Sequence, residues 1–120
     1  MKKLRVAIIG PGKVAHLHAK GILNCPNAEF AAICGRTPFK TQAFADQYGI
    51  RPYSDVREMI ETENVEVLVV CTPHPNHRDP VVEAARLGVH CLIEKPMAST
   101  LQDCDDMLEA ARHNQVTLGV

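Results

Sequence analysis

The residue types that can do chemistry collect in four short stretches of this 120-residue chain, at residues 10–13, 35–37, 72–77 and 94–96. In the first, the apolar run Val6-Ala7-Ile8-Ile9 stops at Gly10-Pro11-Gly12, and a helical pattern begins at once with Lys13-Val14-Ala15. Gly10 permits a tight turn, Gly12 lets a backbone or a phosphate come close, and Ala15 is small enough for the helix to sit against the strand. Free N–H groups at the start of that helix, aligned with its dipole, attract an anion. Pro11 has no N–H to give, so the amides of Gly12, Lys13 and Val14 are expected to hold it. This is the pattern of a loop that seats the diphosphate of a dinucleotide, with alanine in the third small position.

The second stretch, Cys34-Gly35-Arg36-Thr37-Pro38-Phe39-Lys40, bears on which dinucleotide that is. A strand end that holds NAD usually offers an acid to the adenosine ribose hydroxyls, and none is present here. Arg36, Lys40 and the Thr37 hydroxyl can instead hold a 2′-phosphate, with Arg36 also stacking on adenine. NADP is therefore favoured and NAD is the alternative; Arg36 and Lys40 can equally be read as solvating a loop and a helix face.

At the last stretch, Lys95 stands beside Glu94 at a strand end, where it can reach a substrate hydroxyl or carbonyl or simply meet solvent. His16 and His18 lie two apart on a helix, point in different directions, and are read as surface or packing residues. Cys71, His74 and His77 approach ligand spacing, but Cys71 is expected to point into the sheet, and no metal site is expected.

The elements that must position these residues follow from hydrophobic periodicity. Apolar runs at residues 6–9, 29–34, 65–71 and 89–93 read as strands, the first covered on both faces. A short edge strand is expected at 50–53, where Pro52 cannot donate to a ladder, and a last one at 116–120. Helices are expected at 13–24, with Val14, Leu17, Gly21 and Ile22 inward, and at 38–48, opened by a Thr37 cap and Pro38 and stopped by Gly49. A third is capped by Ser54 or Asp55 and ends near Thr62. A fourth runs to Leu87 before Gly88, and a fifth, from the capping box Ser99-x-x-Gln102, reaches Asn114. Strands alternating with helices predict a doubly wound parallel α/β sheet of order 3-2-1-4-5-6, whose ligands bind at the carboxyl ends of the strands.

Composition narrows the function classes. A formal net charge of -1 with no basic run argues against nucleic acid as a partner. The apolar runs are far shorter than a membrane span. Cys25, Cys34, Cys71, Cys91 and Cys104 are odd in number without a C-x-x-C pair. They are expected to be structural thiols of a reducing, cytoplasmic compartment.

The set Gly10-x-Gly12-x-x-Ala15, Thr72-Pro73-x-x-x-His77 and Ala84-Ala85-x-x-Gly88-x-His90-x-x-x-Glu94-Lys95-Pro96 resembles the glucose–fructose oxidoreductase/inositol dehydrogenase/rhizopine catabolism (Gfo/Idh/MocA) family along the whole chain. The resemblance implies an N-terminal Rossmann domain, spanning residues 1–120, that binds NAD or NADP. It implies an oxidoreductase that transfers hydride to or from a sugar, cyclitol or related small molecule. It further implies that Lys95 is catalytic and contacts the reacting hydroxyl, that Pro96 follows a cis peptide, and that Thr72, Pro73 and His77 line the nicotinamide half. With the residues read above, the cofactor-binding set is Gly10, Gly12, Lys13, Val14, Gly35, Arg36, Thr37, Lys40, Thr72, Pro73, His77, Glu94, Lys95 and Pro96.

The family's second α/β domain, which supplies its main acid/base histidine, has no counterpart in these residues. The piece alone is therefore expected to be inactive and to self-associate through the face such a domain covers. A stand-alone NAD(P)-binding sensor or scaffold without catalysis is the alternative.

Overall fold

The computed structural model describes residues 2–73 and 76–120. Six parallel strands, β1 (Leu4–Ile9), β2 (Ala28–Cys34), β3 (Arg51–Tyr53), β4 (Val67–Val70), β5 (His90–Ile93) and β6 (Leu118–Gly119), form one sheet in the order β3-β2-β1-β4-β5-β6. Five helices alternate with them: α1 (Lys13–Leu23), α2 (Pro38–Tyr48), α3 (Val56–Glu63), α4 (Arg78–Arg86) and α5 (Leu101–His113). The strand order is the one read from the sequence. β3, with Pro52, is an edge strand paired only to β2.

Each face of the sheet has its own core. Val6, Ile8, Ile33 and Val69 meet Ala15 and Ala19 of α1 and Phe44 and Ala45 of α2. Ala7, Leu68, Val70, Cys91 and Ile93 meet Met59 of α3, Val81 and Ala84 of α4, and Met107 of α5. The strand period of two sends alternate residues of β1 and β4 to these two cores, which is why both strands are apolar throughout.

The expected inward face of α1 needs a correction. Leu17 is 69 % exposed and Gly21 is exposed, while Ala15 and Ala19 are fully buried. Two alanines one turn apart let the helix backbone approach the strands, so the stripe that packs is set by small residues and Leu17 turns outward. Two caps also differ. Thr37 precedes Pro38 as expected, but its hydroxyl makes no capping bond. The last helix is capped by Thr100, whose Oγ1 accepts from the Asp103 N–H at 3.1 Å, rather than by Ser99. Ser99-x-x-Gln102 and Thr100-x-x-Asp103 satisfy the same pattern, and only the extended backbone at Thr100 selects between them.

At the amino edge of the sheet, Arg5 of β1 donates to the Glu63 carbonyl and, at 3.1 Å, to its carboxylate. The Tyr53 hydroxyl donates to the same buried carboxylate. Glu63, the last residue of α3 and the one buried acid among the described residues, thus has its charge satisfied by partners from β1 and β3.

Cys34, Cys71 and Cys91 are buried and Cys25 is exposed. Burial pushes the Cys34 thiol up to about 11, helped by Asp55 and Glu83, and the Cys71 and Cys91 thiols up to about 12, from an ordinary 9.0. The unfolded chain loses these protons from about pH 9, whereas the folded chain keeps them up to about pH 11 to 12. The folded state therefore binds more protons across that window, and stability must fall as pH rises through it. Urea unfolding at stepped pH should show a midpoint declining above pH 9, and a thiol reagent at neutral pH should modify Cys25 but spare the three buried thiols. A flat midpoint from pH 9 to 11 would contradict this account.

Candidate functional site

Because all strands run in one direction, the ends of β2, β1, β4 and β5 lie side by side on one edge. There they open onto a cleft of about 1310 Å³. The order reverses between β1 and β4, which makes this the switch-point crevice of a doubly wound sheet. The cleft is lined by Gly10, Gly12, Lys13, Val14, Gly35, Arg36, Thr37, Lys40, Thr72, Pro73, His77, Glu94 and Lys95. Of the fourteen residues read as the cofactor-binding set, Pro96 alone falls outside that lining, and the Lys95–Pro96 peptide is cis.

The two glycines of the first loop do different work. Gly10 has φ +99°, and a Cβ there would lie 2.7 Å from the Cys71 carbonyl carbon and from the Thr72 nitrogen. Gly10 is therefore the point where the backbones leaving β1 and β4 touch, and its N–H donates to the Cys34 carbonyl at 2.8 Å. At Gly12 a Cβ would meet nothing within 4 Å, and the backbone is ordinary. One expectation changes: the Gly12 N–H is taken by the Gly10 carbonyl at 3.0 Å. That leaves the Lys13 and Val14 amides without a backbone partner among the described residues.

α1 also lacks a side-chain cap and has no acid in its first turn. By contrast, α3 is capped by Asp55 and carries Glu58, and α5 is capped by Thr100 and carries Asp103. Those helices satisfy their own amino ends, whereas α1 presents its donors and dipole to the cleft.

At the end of β2 the sequence lacked an acid, and the packing shows why. A Cβ on Gly35 would lie 2.3 Å from Thr41 Oγ1 and 2.8 Å from Cδ of Pro11. Thr41 is held there because its hydroxyl donates to the Thr37 carbonyl at 2.9 Å. The Pro11 ring thus occupies the space a side chain at position 35 needs. The first side chains able to reach out from this strand end are those of Arg36, Thr37 and Lys40, all exposed along the cleft.

Between β4 and β5, His77 is 1 % exposed, with Nε2 at 2.6 Å from the Thr72 carbonyl and Nδ1 at 3.0 Å from the Met97 carbonyl. Both ring nitrogens are turned to backbone, and a neutral ring donates through only one of them. Glu94 meets His18 of α1, with Nε2 and Oε2 2.8 Å apart. Lys95 is exposed and makes no ion pair among the described residues.

His16 instead faces the other way, its Nδ1 at 2.6 Å from the Tyr48 hydroxyl. His74 lies outside the described residues, and no cluster of three metal-binding side chains occurs among the described ones. Arg78, Glu83 and Arg86 also line the cleft and were not singled out beforehand. No local pattern marks them, since they reach the site from along α4.

Comparison with known proteins agrees with this geometry. Residues 4–120 match the family model GFO_IDH_MocA, described as an oxidoreductase family with an NAD-binding Rossmann fold. The chain is 34 % identical over 111 residues to D-glucoside 3-dehydrogenase of Escherichia coli, covering 91 % of this chain and 32 % of that protein. It is 28 % identical over 116 residues to myo-inositol 2-dehydrogenase of Thermotoga maritima, covering 96 % and 35 %. The WlbA dehydrogenase of Bordetella pertussis, solved with NADH and UDP-GlcNAcA, superposes with a TM-score of 0.93 at 32 % identity, covering 98 % of this chain and 36 % of that one. The chain thus spans about a third of the length of these proteins. No described helix is long and apolar enough to cross a membrane.

Proposed function

The chain belongs to the Gfo/Idh/MocA oxidoreductase family, matched over its NAD-binding Rossmann domain at residues 4–120, and from that membership we propose that it is the cofactor-binding part of an NADP-preferring dehydrogenase or reductase acting on a sugar-like or cyclitol hydroxyl or carbonyl. The observation that carries the reading is the start of α1, an uncapped and acid-free helix end whose Lys13 and Val14 amides open onto the cleft beside Gly12.

A bound nicotinamide nucleotide supplies the hydride acceptor or donor. The chain's own residues do the rest. The α1 amides and dipole hold the diphosphate, while Arg36, Thr37 and Lys40 hold the 2′-phosphate where Gly35 leaves no acid. Thr72, Pro73 and His77 wall the nicotinamide end, and the Lys95 ammonium donates to the substrate oxygen. These 120 residues by themselves bind nucleotide without sustained turnover, because they hold neither substrate walls nor a second acid/base. The same reading places the protein in the cytoplasm as a homo-oligomer, with exposed Leu17, Leu23 and Leu108 available for association.

Calorimetric titration of the chain and of Arg36→Ala with NADP and NAD tests it. NADP should bind about tenfold more tightly than NAD, the scale of one or two charge-assisted hydrogen bonds, and Arg36→Ala should remove that difference. Equal affinities in the parent chain, or a difference that survives Arg36→Ala, would overturn the NADP assignment. Absence of binding by either nucleotide would overturn the function.

A further inference from the structure

We propose that His18 is a positioning residue for Lys95, acting through Glu94, in a site whose catalytic lysine rests on the reading above. The argument starts from the strand period. Along β5, His90 and Leu92 face away from Cys91 and Ile93, which are buried against α4 and α5. Val67 and Val69 of β4 pair with His90 and Leu92 and pack on the α1 side, so that side of β5 is the one α1 overlooks. Glu94 continues the ladder, its N–H donating to the Val70 carbonyl at 3.0 Å, and falls in step with His90 and Leu92.

On α1, Val14, His18 and Ile22 recur at every fourth position and share one half-buried flank. The histidine is thus placed by helical period, and the carboxylate by strand period, to meet at 2.8 Å between α1 and the end of β5. His18 carries a polar ring on a flank otherwise made of valine and isoleucine. Its partner directly precedes the residue whose ammonium must stay free.

The chemistry at stake is competition for that ammonium. A carboxylate next to Lys95 and free to turn would pair with it and withdraw it from a substrate oxygen. It would also stand as an uncompensated anion in a cleft that must accept phosphates. Held by His18 Nε2, the Glu94 carboxylate is anchored to the α1 side, and Lys95 has no acidic partner among the described residues.

The test labels the purified chain, without nucleotide, with an amine-acylating reagent and follows Lys95 by mass spectrometry. His18→Leu should slow Lys95 acylation about threefold, the scale of one exposed ion pair newly made by Glu94. His18→Gln, which keeps an N–H near the position of Nε2, should restore the parent rate. So should Glu94→Gln placed in the His18→Leu background, because the freed carboxylate is then gone. A purely structural role for His18 would not be reversed by a change at Glu94.

An unchanged rate in His18→Leu, or a slowed rate that persists in His18→Leu/Glu94→Gln, would overturn the proposal. Thermal melting of each variant is run alongside, and if His18→Leu does not fold, the comparison of His18→Gln with Glu94→Gln decides. There, a parent-like rate in the first and no slowing in the second supports the proposal, and slowing in the second overturns it. A parallel titration with NADP separates the two levels: failure of the parent chain to bind sinks the cofactor reading, while the acylation rates still decide the role of His18.

Discussion

Gly10→Ala will strongly destabilise the fold, while Gly12→Ala will leave the fold intact and weaken nucleotide binding. At Gly10 the backbone sits at φ +99°, and any Cβ lands 2.7 Å from peptide atoms of Cys71 and Thr72, which cannot move aside as a side-chain tip could. Strain at such a φ and overpacking against backbone together cost about 4 kcal/mol. That is a large part of the 5–15 kcal/mol typical of a domain, and it lowers the melting temperature by about 15 °C. At Gly12 the open surroundings predict a melting temperature within about 2 °C of the parent, in the range of neutral surface changes. Yet a methyl group there stands where a diphosphate must approach the α1 amides, and NADP affinity should fall at least about tenfold. Differential scanning calorimetry and nucleotide titration on the two variants check this. Equal melting of the two, or full-strength binding by Gly12→Ala, would refute it.

Gly35→Asp, the substitution that would give this strand end the acid of an NAD site, will destabilise the chain instead of converting it. The new Cβ meets Thr41 Oγ1 at 2.3 Å and Pro11 Cδ at 2.8 Å. Relief requires turning the buried Thr41 hydroxyl away from the Thr37 carbonyl and pushing the proline ring toward the diphosphate loop. Overpacking and the lost hydrogen bond together cost about 3 kcal/mol, and displacement of Pro11 weakens both nucleotides. Adding Pro11→Ala relieves only one of the two contacts. Urea unfolding and paired titrations read the outcome, and a stable Gly35→Asp chain with tightened NAD binding would show that Pro11 and Thr41 yield easily.

These two cases mark how far the sequence could be read. The strand order, the single edge that gathers residues 10–13, 35–37 and 94–96 with Thr72 and His77, and the alternation of elements all follow from apolar period and turn residues. Both are properties of neighbours along the chain. Contacts between distant segments were not legible. Nothing local announces that the ring of Pro11 fills the space beside Gly35, that Gly10 touches the exit from β4, or that His18 meets Glu94. Even the outward turn of Leu17 depends on how closely Ala15 and Ala19 let α1 approach. The fate of the Gly12 amide likewise follows from a turn geometry that a glycine leaves undetermined until it packs.

The imidazole of His77 carries one more implication. It stands between the Thr72 carbonyl, where the chain leaves β4, and the Met97 carbonyl beyond Pro96, so a neutral ring ties one of these two by its N–H and packs against the other. Under the proposed function, that side of the seat is backed by a buried ring, whereas the opposite rim offers the solvent-facing side chains of Arg36 and Lys40.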